Sequence, residues 1–420
     1  MRHAKLAISE GRTVCVTGIG VLSPIGANVP EFLAGLQSSR SGIRALRSEF
    51  SDRIAYNAFG IVDLPEQTTP SRARLAGLDR FCTFALIAAH EAVAHAGLLG
   101  SACLGRAIVS VGTGMGGAET MQQGYEDLLL RAGARVNPLS VVKGMNNAAA
   151  AHIAIDFGCH GHSITYSTAC SSSAIAIGEA MRSIRSGHAD VAIAGGAEAL
   201  LTFGTISAWQ ALRTLAIPDP ADPSTACRPF AADRTGLVLG EGAGFVLLEE
   251  EQHARARGAT IHARLSGYGT STDAIHMTKP DPGGQAAAMQ SALADAGLQA
   301  AQIGYLNAHG TATLAGDIIE TKAIKQVFGQ HAKTLAISST KSMHGHLMGA
   351  TGAVEFIASL LALRHGFAPP TINLHRPDPE CDLDYVPNRT RADLHFEHVM
   401  SNSFAFGGSN AVLIASSPSA

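Results

Sequence analysis

One cysteine, three histidines, a lysine and several carboxylates stand in settings where their chemistry is usable. Cys170 lies in Ser167-Thr-Ala-Cys-Ser-Ser-Ser, between a strand-like and an apolar helix-like stretch. The free N–H groups and dipole of a helix start favour a thiolate, the form that attacks a thioester. Taken alone, the segment reads more simply as a buried free cysteine. His309 occurs in Asn307-Ala-His-Gly-Thr-Ala-Thr, followed by Asp317 and Glu320. Small polar loops beyond strand ends are where catalytic groups collect in α/β proteins, but one of 18 histidines is by default a surface or core residue. Lys341, His344 and His346 share the stretch from Ser338 to Glu355. Lys341 is either a solvated loop charge or a buried one paired with Glu355. Phe404 and Phe406 sit in Ser401-Asn-Ser-Phe-Ala-Phe-Gly-Gly-Ser-Asn, as a core plug or a gate over an apolar site.

Alternating strands and helices must position these groups. Strands are expected at 13–18, 106–111, 163–167 and 189–196, with a buried helix over 171–187 stopped by Gly187. The charged run 249–258 reads as exposed and as a boundary. The chain then begins again at 261–269 with a similar strand and glycine turn. Strands follow at 303–307 and 334–338, a helix at 349–365 ended by Gly366, and a strand–turn–strand at 399–403 and 410–415. This pattern predicts a layered α/β fold with covered sheets in two halves, 1–258 carrying Cys170 and 259–420 carrying His309 and His346. The internal repeat is a weak signal at this level.

At 420 residues the chain exceeds a single small core, and 46% apolar against 15% charged residues excludes disorder. A net charge of −3 gives no basic field for nucleic acid or an anionic membrane. Seven scattered cysteines suit a reducing, cytoplasmic compartment better than a disulfide framework. The first 12 residues lack a signal-peptide core, and no apolar run is long enough to span a membrane. Gly112-x-Gly-x-x-Gly117 mimics a dinucleotide fingerprint without its later acidic residue. Cys159-His-Gly-His162 mimics metal ligands without a second paired motif. No metal and no resident cofactor are therefore expected.

Together the segments resemble the elongating β-ketoacyl-acyl-carrier-protein synthases, condensing enzymes of the thiolase fold. The resemblance runs from Val14 to Ile414. It rests on Thr-Ala-Cys-Ser-Ser, on Ala-His-Gly-Thr-x-Thr with Gly316-Asp317 and Glu320, and on Ser-Thr-Lys-Ser-x-x-Gly-His with Glu355. Arg228-Pro-Phe, Asp233-Arg-Thr-Gly, Gly240-Glu-Gly-Ala-Gly and Asn402-Ser-Phe-x-Phe-Gly-Gly-x-Asn also match. It implies duplicated βα halves in a five-layer αβαβα arrangement. It implies decarboxylative condensation of an acyl group on Cys170 with malonyl-acyl carrier protein, giving a 3-oxoacyl carrier and CO2 in fatty-acid, polyketide or polyene elongation.

By the same resemblance His309 and His346 are the active-site histidines, and Lys341, Glu355, Asp317 and Glu320 support them. Thr311 and Thr313 bind the pantetheine arm. Phe404 and Phe406 form the gate, the Phe406 amide being an oxyanion donor. Met115 points toward an acyl tunnel near the dimer contact, and Ser140 replaces a bulky aromatic that would shorten it. His344 stands where a threonine is frequent and is given no catalytic role. The implied partners are acyl carrier protein with its acyl and malonyl thioesters, and a second subunit, either a copy of the chain or a chain-length-factor-like protein.

Ala312 and Ala315 depart from the family pattern, and the Met-His-Gly-His spelling resembles nodulation- or polyene-type ketosynthases. A thiolase would need a second cysteine in a matching motif, and a cysteine protease would not need a second histidine with Lys341. A non-catalytic chain-length-factor-like subunit would lack Cys170 and the histidine pair.

Overall fold

The computed structural model describes residues 12–64, 71–131, 133 and 135–418. The expectation about the first 12 residues thus falls almost wholly outside the described residues.

The first half runs β1 (Val14–Leu22), α1 (Val29–Gln37), a small two-stranded sheet of β2 (Ile43–Arg44) and β3 (Phe59–Gly60), α2 (Arg72–Leu75) and α3 (Arg80–His95). It continues through β4 (Ile108–Gly112), α4 (Ala118–Leu130), α5 (Ser140–Gly144), α6 (Ala148–Phe157), β5 (Ser163–Tyr166), α7 (Ser172–Arg185), β6 (Val191–Glu198), α8 (Phe203–Ala211), β7 (Gly242–Glu250) and α9 (Glu251–Ala256). The second half contains β8 (Ala263–Thr272), α10 (Pro282–Ala296), β9 (Ile303–Asn307), α11 (Gly316–Phe328), β10 (Ala336–Ser338), α12 (Lys341–His344), α13 (Thr351–His365), β11 (His398–Phe404) and β12 (Ser409–Ser416).

Both halves build the same five-stranded order: β5-β4-β6-β7-β1 in one and β10-β9-β11-β12-β8 in the other. In each, the first three strands are parallel and the remaining pairs antiparallel. The two sheets join edge to edge where Cys15 and Val16 of β1 pair with Arg264 and Ala263 of β8. A packing detail repeats with the topology. A Cβ on Gly18 or Gly20 of β1 would run into the carbonyl oxygens of Ala92 and Ala88 in α3. One on Gly267 or Gly269 of β8 would meet those of Ala292 and Ala288 in α10. Two glycines per strand thus let a helix backbone lie directly on the sheet, and this is the physical basis of the restarting pattern at 261–269.

Helices α7 and α13 lie between the sheets, α3 and α6 cover the outer face of the first, and α10 with α11 covers the second. The three largest apolar cores among the described residues follow, one between the sheets and one under each outer layer. The arrangement is the αβαβα thiolase fold. The parallel strands β5, β4, β6, β10, β9 and β11 end on the side where the candidate residues gather, as is usual for α/β sheets.

Several boundaries differ from expectation. The helix expected at 171–187 starts at Ser172, after a 3₁₀ turn over Ala169–Ser171. The helix expected from 349 starts at Thr351, after a second 3₁₀ turn over Met348–Ala350. The run 249–258 is not simply an exposed linker. Glu249 is fully buried, receiving hydrogen bonds from Thr17 and Arg257 and pairing with His253, while Gln252 and Arg255 face solvent. Charge content alone could not separate a clamped carboxylate from a solvated one. All seven cysteines are free. Among the described residues no helix is long and apolar enough to cross a membrane.

Candidate active site

Three distant stretches meet at one point. The reactive atoms of Cys170, His309 and His346 lie within 4.8 Å of one another, and all three residues are buried. The sulfur is presented by a sharp turn after β5 in which Ala169 takes φ +51°, a left-handed conformation costly for a residue with a Cβ. The neighbouring serines hold that turn. Ser171 Oγ donates to the Thr168 carbonyl at 2.9 Å, and Ser172 Oγ to that of Ala169 at 2.6 Å. Ser173 Oγ accepts the Ala353 N–H at 2.9 Å, tying the turn to α13.

Both imidazoles have fixed tautomers. His346 Nδ1 accepts the Met348 N–H at 3.1 Å and is 2.9 Å from Thr351 Oγ1. Its proton is therefore on Nε2, 3.0 Å from Cys170 Sγ. His309 Nδ1 faces Lys341 Nζ at 3.3 Å, so its proton is also on Nε2. The rings meet edge-on, centroids 5.4 Å apart at 84°. Burial first, then the Lys341 charge, holds both well below the ordinary histidine range, so both are neutral donors.

Lys341 is completely buried. Its ammonium donates to Glu355 Oε1 at 2.6 Å and to the His309 carbonyl at 2.5 Å. Burial raises Glu355 to about 7, opposed by Lys341. Glu320 accepts the N–H groups of His309 and Gly310 at 2.8 and 2.7 Å, and Asn402 Nδ2 at 3.2 Å. Asp317 accepts the N–H groups of Phe230 and Ala312 at 2.7 and 3.1 Å, and Arg234 lies 3.6 Å away. Arg234 also donates to the carbonyls of Thr313 and Leu314. The two acids and the arginine thus shape the loop bearing His309, Thr311 and Thr313, whose inner residue Ala312 adopts φ +64°.

Cys170 was expected near a helix N-terminus that favours its thiolate. It does stand two residues before α7, in the 3₁₀ turn that leads into it, but burial pushes its thiol up to about 12. The Lys341 charge and the N–H groups of Phe406 and Cys170, all directed at the sulfur, act the other way and are outweighed. Desolvation of a fully buried anion exceeds the pull of a few dipoles.

A cavity of about 270 Å³ opens over the sulfur. It is lined by Cys170, His309, His346, Thr311, Thr313, Phe404 and Phe406, among others. The threonine hydroxyls are 3.0 Å apart. Phe404 is buried with its ring 6.1 Å from that of His309, whereas Phe406 is partly exposed and starts a turn through Gly407 and Gly408, both at positive φ. Met115 and Ser140 do not line this cavity. Met115 is 48% exposed and borders a separate groove with Met121, Tyr125, Leu129 and Phe203, and Ser140 opens α5. Within one chain, neither faces the sulfur.

Sequence reasoning missed three parts. The single tryptophan, Trp209, stacks on Phe406 with centroids 5.9 Å apart. Glu198, at the end of β6, accepts the N–H groups of Gly114, Met115 and Gly349 and so ties the glycine loop to the turn after His346. Met348 and Thr351 fix the His346 tautomer. An acidic residue closing the buried run 191–198 was the one visible signal for Glu198, and no signal marked the others. Cys170, His309 and His346 could geometrically hold a metal ion. Their tautomers oppose it, because a ligating imidazole needs a bare Nε2 and gives its Nδ1–H to an acceptor, and here donors occupy both Nδ1 atoms. Cys159, His160 and His162 form no such cluster among the described residues.

A duplicated α/β frame with a buried thiol and two imidazole donors defines a thioester-condensing class, and sequence comparison narrows it. Residues 11–254 match the model of the beta-ketoacyl synthase N-terminal domain, and residues 262–375 that of the C-terminal domain. The chain belongs to the beta-ketoacyl synthase family. It is 44% identical over 409 residues to nodulation protein E of Rhizobium meliloti (strain 1021), covering 96% of this chain and 98% of that one. It is 41% identical over 413 residues to 3-oxoacyl-[acyl-carrier-protein] synthase 2 of Staphylococcus aureus (strain COL), covering 97% and 99%. Among solved structures, the ishigamide ketosynthase/chain length factor superposes with a TM-score of 0.90 at 38% identity, over 97% of this chain and 99% of that one.

Proposed function

We infer that the protein extends an acyl chain by two carbons, transferring it to Cys170 and condensing it with a malonyl thioester. The observation that carries this is the meeting of one thiol with two neutral Nε2–H donors in a buried cavity. The thiol adds to the acyl thioester carbonyl, with the Cys170 and Phe406 N–H groups holding the oxyanion. The carrier sulfur leaves with the thiol proton. A malonyl thioester then loses CO2, and its enolate oxygen takes hydrogen bonds from His309 and His346. The enolate carbon attacks the Cys170 thioester, the 3-oxoacyl product leaves on its carrier, and the freed thiolate regains a proton from solvent. No base is needed, which suits imidazoles held neutral with their protons forward. One preorganised donor of this kind is worth on the order of 10²–10³ in rate.

In this reading Lys341, paired with Glu355, orients His309, and Asp317 and Glu320 hold the loop. Thr311 and Thr313 bind pantetheine, and Phe404 and Phe406 gate the cavity. The substrates arrive on the phosphopantetheine of an acyl carrier protein in the cytoplasm, with no further cofactor. The chain divides at 258/259, and the repeated strand order supports that division. Met115 and Ser140 act on the acyl tail only where a second subunit, identical or chain-length-factor-like, closes the tunnel.

Incubation with an acyl-carrier thioester is expected to add one acyl mass at Cys170, with malonyl carrier then giving 3-oxoacyl product. A chain that gains no mass, or gains it equally in Cys170→Ala, is not this enzyme.

A further inference from the structure

His344 has no part in the chemistry above, yet it is completely buried between two residues that do. It ends α12, three residues after Lys341 and two before His346. Its Nδ1 is 2.7 Å from the Gly345 carbonyl oxygen, which can only accept, so that nitrogen carries the ring proton. Nε2 is then bare and lies 3.0 Å from Thr340 Oγ1, which must donate to it. Thr340 Oγ1 in turn accepts from Asn307 Nδ2 at 3.3 Å.

These bonds form one directed chain: Asn307 amide to Thr340 hydroxyl, hydroxyl to His344 Nε2, and His344 Nδ1–H to the Gly345 carbonyl. Its first member closes β9, two residues before His309. Its last is the carbonyl of the peptide whose N–H belongs to His346. That N–H donates to the Val238 carbonyl at 2.7 Å. Both edges of the Gly345–His346 peptide plane are thus held, at a glycine with φ +75° and ψ −174° whose backbone has many alternatives. Burial keeps the imidazole neutral, pushing it down to about 3, so one tautomer persists across the working range.

We propose that His344 is a positioning residue: through Gly345 it aims the Nε2–H of His346 at the reacting oxygen, and through Thr340 and Asn307 it ties that aim to the strand carrying His309. The proposal rests on the condensing function inferred above. A displacement of about 1 Å at such a donor can cost 10²-fold in rate, so the effect belongs in turnover rather than substrate binding.

The test separates the half-reactions in the full chain. Cys170 acylation is read by mass, and malonyl-carrier decarboxylation by CO2 release. His344→Asn keeps an N–H near the Nδ1 position, whereas His344→Gln reaches only toward Thr340. His344→Asn is expected to stay within about threefold of wild type. His344→Gln is expected to lose tenfold or more in decarboxylation kcat, with KM and the extent of acylation nearly unchanged. Equal rates in the two variants, or a loss confined to KM, would overturn the assignment. Should both unfold, Thr340→Ser keeps the hydroxyl and the nearly isosteric Thr340→Val removes it. The serine variant is expected to match wild type and the valine variant to lose turnover, and equal rates here are equally fatal. If wild type itself never acylates Cys170, the condensing function fails instead, and the two failures are distinguishable.

Discussion

Lys341 and Glu355 form a fully buried pair whose value is conditional on both members. Taking two charges out of water costs several kcal/mol per ion, and removing one partner leaves the other uncompensated. Glu355 has an escape, since burial already raises its carboxyl to about 7 despite the lysine beside it. In Lys341→Met that lysine is gone and the folded-state pKa climbs further above the ordinary carboxylate range. A group with a raised folded pKa binds more protons folded than unfolded, so its contribution to stability is full at low pH and is lost as pH rises. Wild type loses the same contribution up to about pH 7, so Lys341→Met is expected to melt close to wild type below that value and progressively below it as pH rises further. Lys341→Met/Glu355→Gln should abolish that trend. A pH-independent gap between Lys341→Met and wild type would show that the carboxyl does not titrate as argued. Turnover should fall at least tenfold in either variant, because the His309 Nδ1 contact is lost.

At the level of elements, the edge-to-edge joint between β1 and β8 is short, and two imidazoles flank it. His95 ends α3, His262 directly precedes β8, and their rings lie 4.3 Å apart. The His262 N–H donates to the Val16 carbonyl at 2.8 Å. Burial is the first cause lowering both, His262 to about 3, with Arg364 adding to the effect. Unfolding lets each take a proton below about 6.5, so stability should fall as pH drops through that value. His262→Gln is expected to flatten this acid limb of a melting-temperature profile, and an unchanged slope would count against the joint as its source. The sequence showed the strands on either side of this joint because their apolar runs and glycines are local signals. It could not show that Glu249 is clamped rather than solvated, nor that burial holds the Cys170 thiol protonated against the helix start beside it. Those outcomes depend on Arg257 and Thr17 in one case, and on enclosure by α13 and the Phe406 loop in the other. The catalytic motifs were legible because each is a contiguous string. The partners that set the His346 tautomer were not, because one is a backbone N–H.

For the whole molecule, several large apolar side chains are exposed on the neighbouring elements α4, α5, α6 and β5. Leu129, Leu130 and Val141 are each 78% exposed, Ile155 is 74% exposed, and Ile164 on the edge strand β5 is 42% exposed. Exposed apolar residues beside an open sheet edge are what a subunit contact would cover. Val141→Asp is expected to shift sedimentation toward a single chain and to reduce acceptance of long acyl groups more than short ones, because Met115 and Ser140 lie on this side. Unchanged association would remove the contact from this face. The stacking of Trp209 on Phe406 has a separate use. In 420 residues it is the only indole, so ultraviolet emission from the intact enzyme arises mainly from the rim of the reaction chamber. Arrival of a thioester arm or movement of the Phe406 loop alters the surroundings of that one chromophore, and turnover can be followed in real time without attaching a dye.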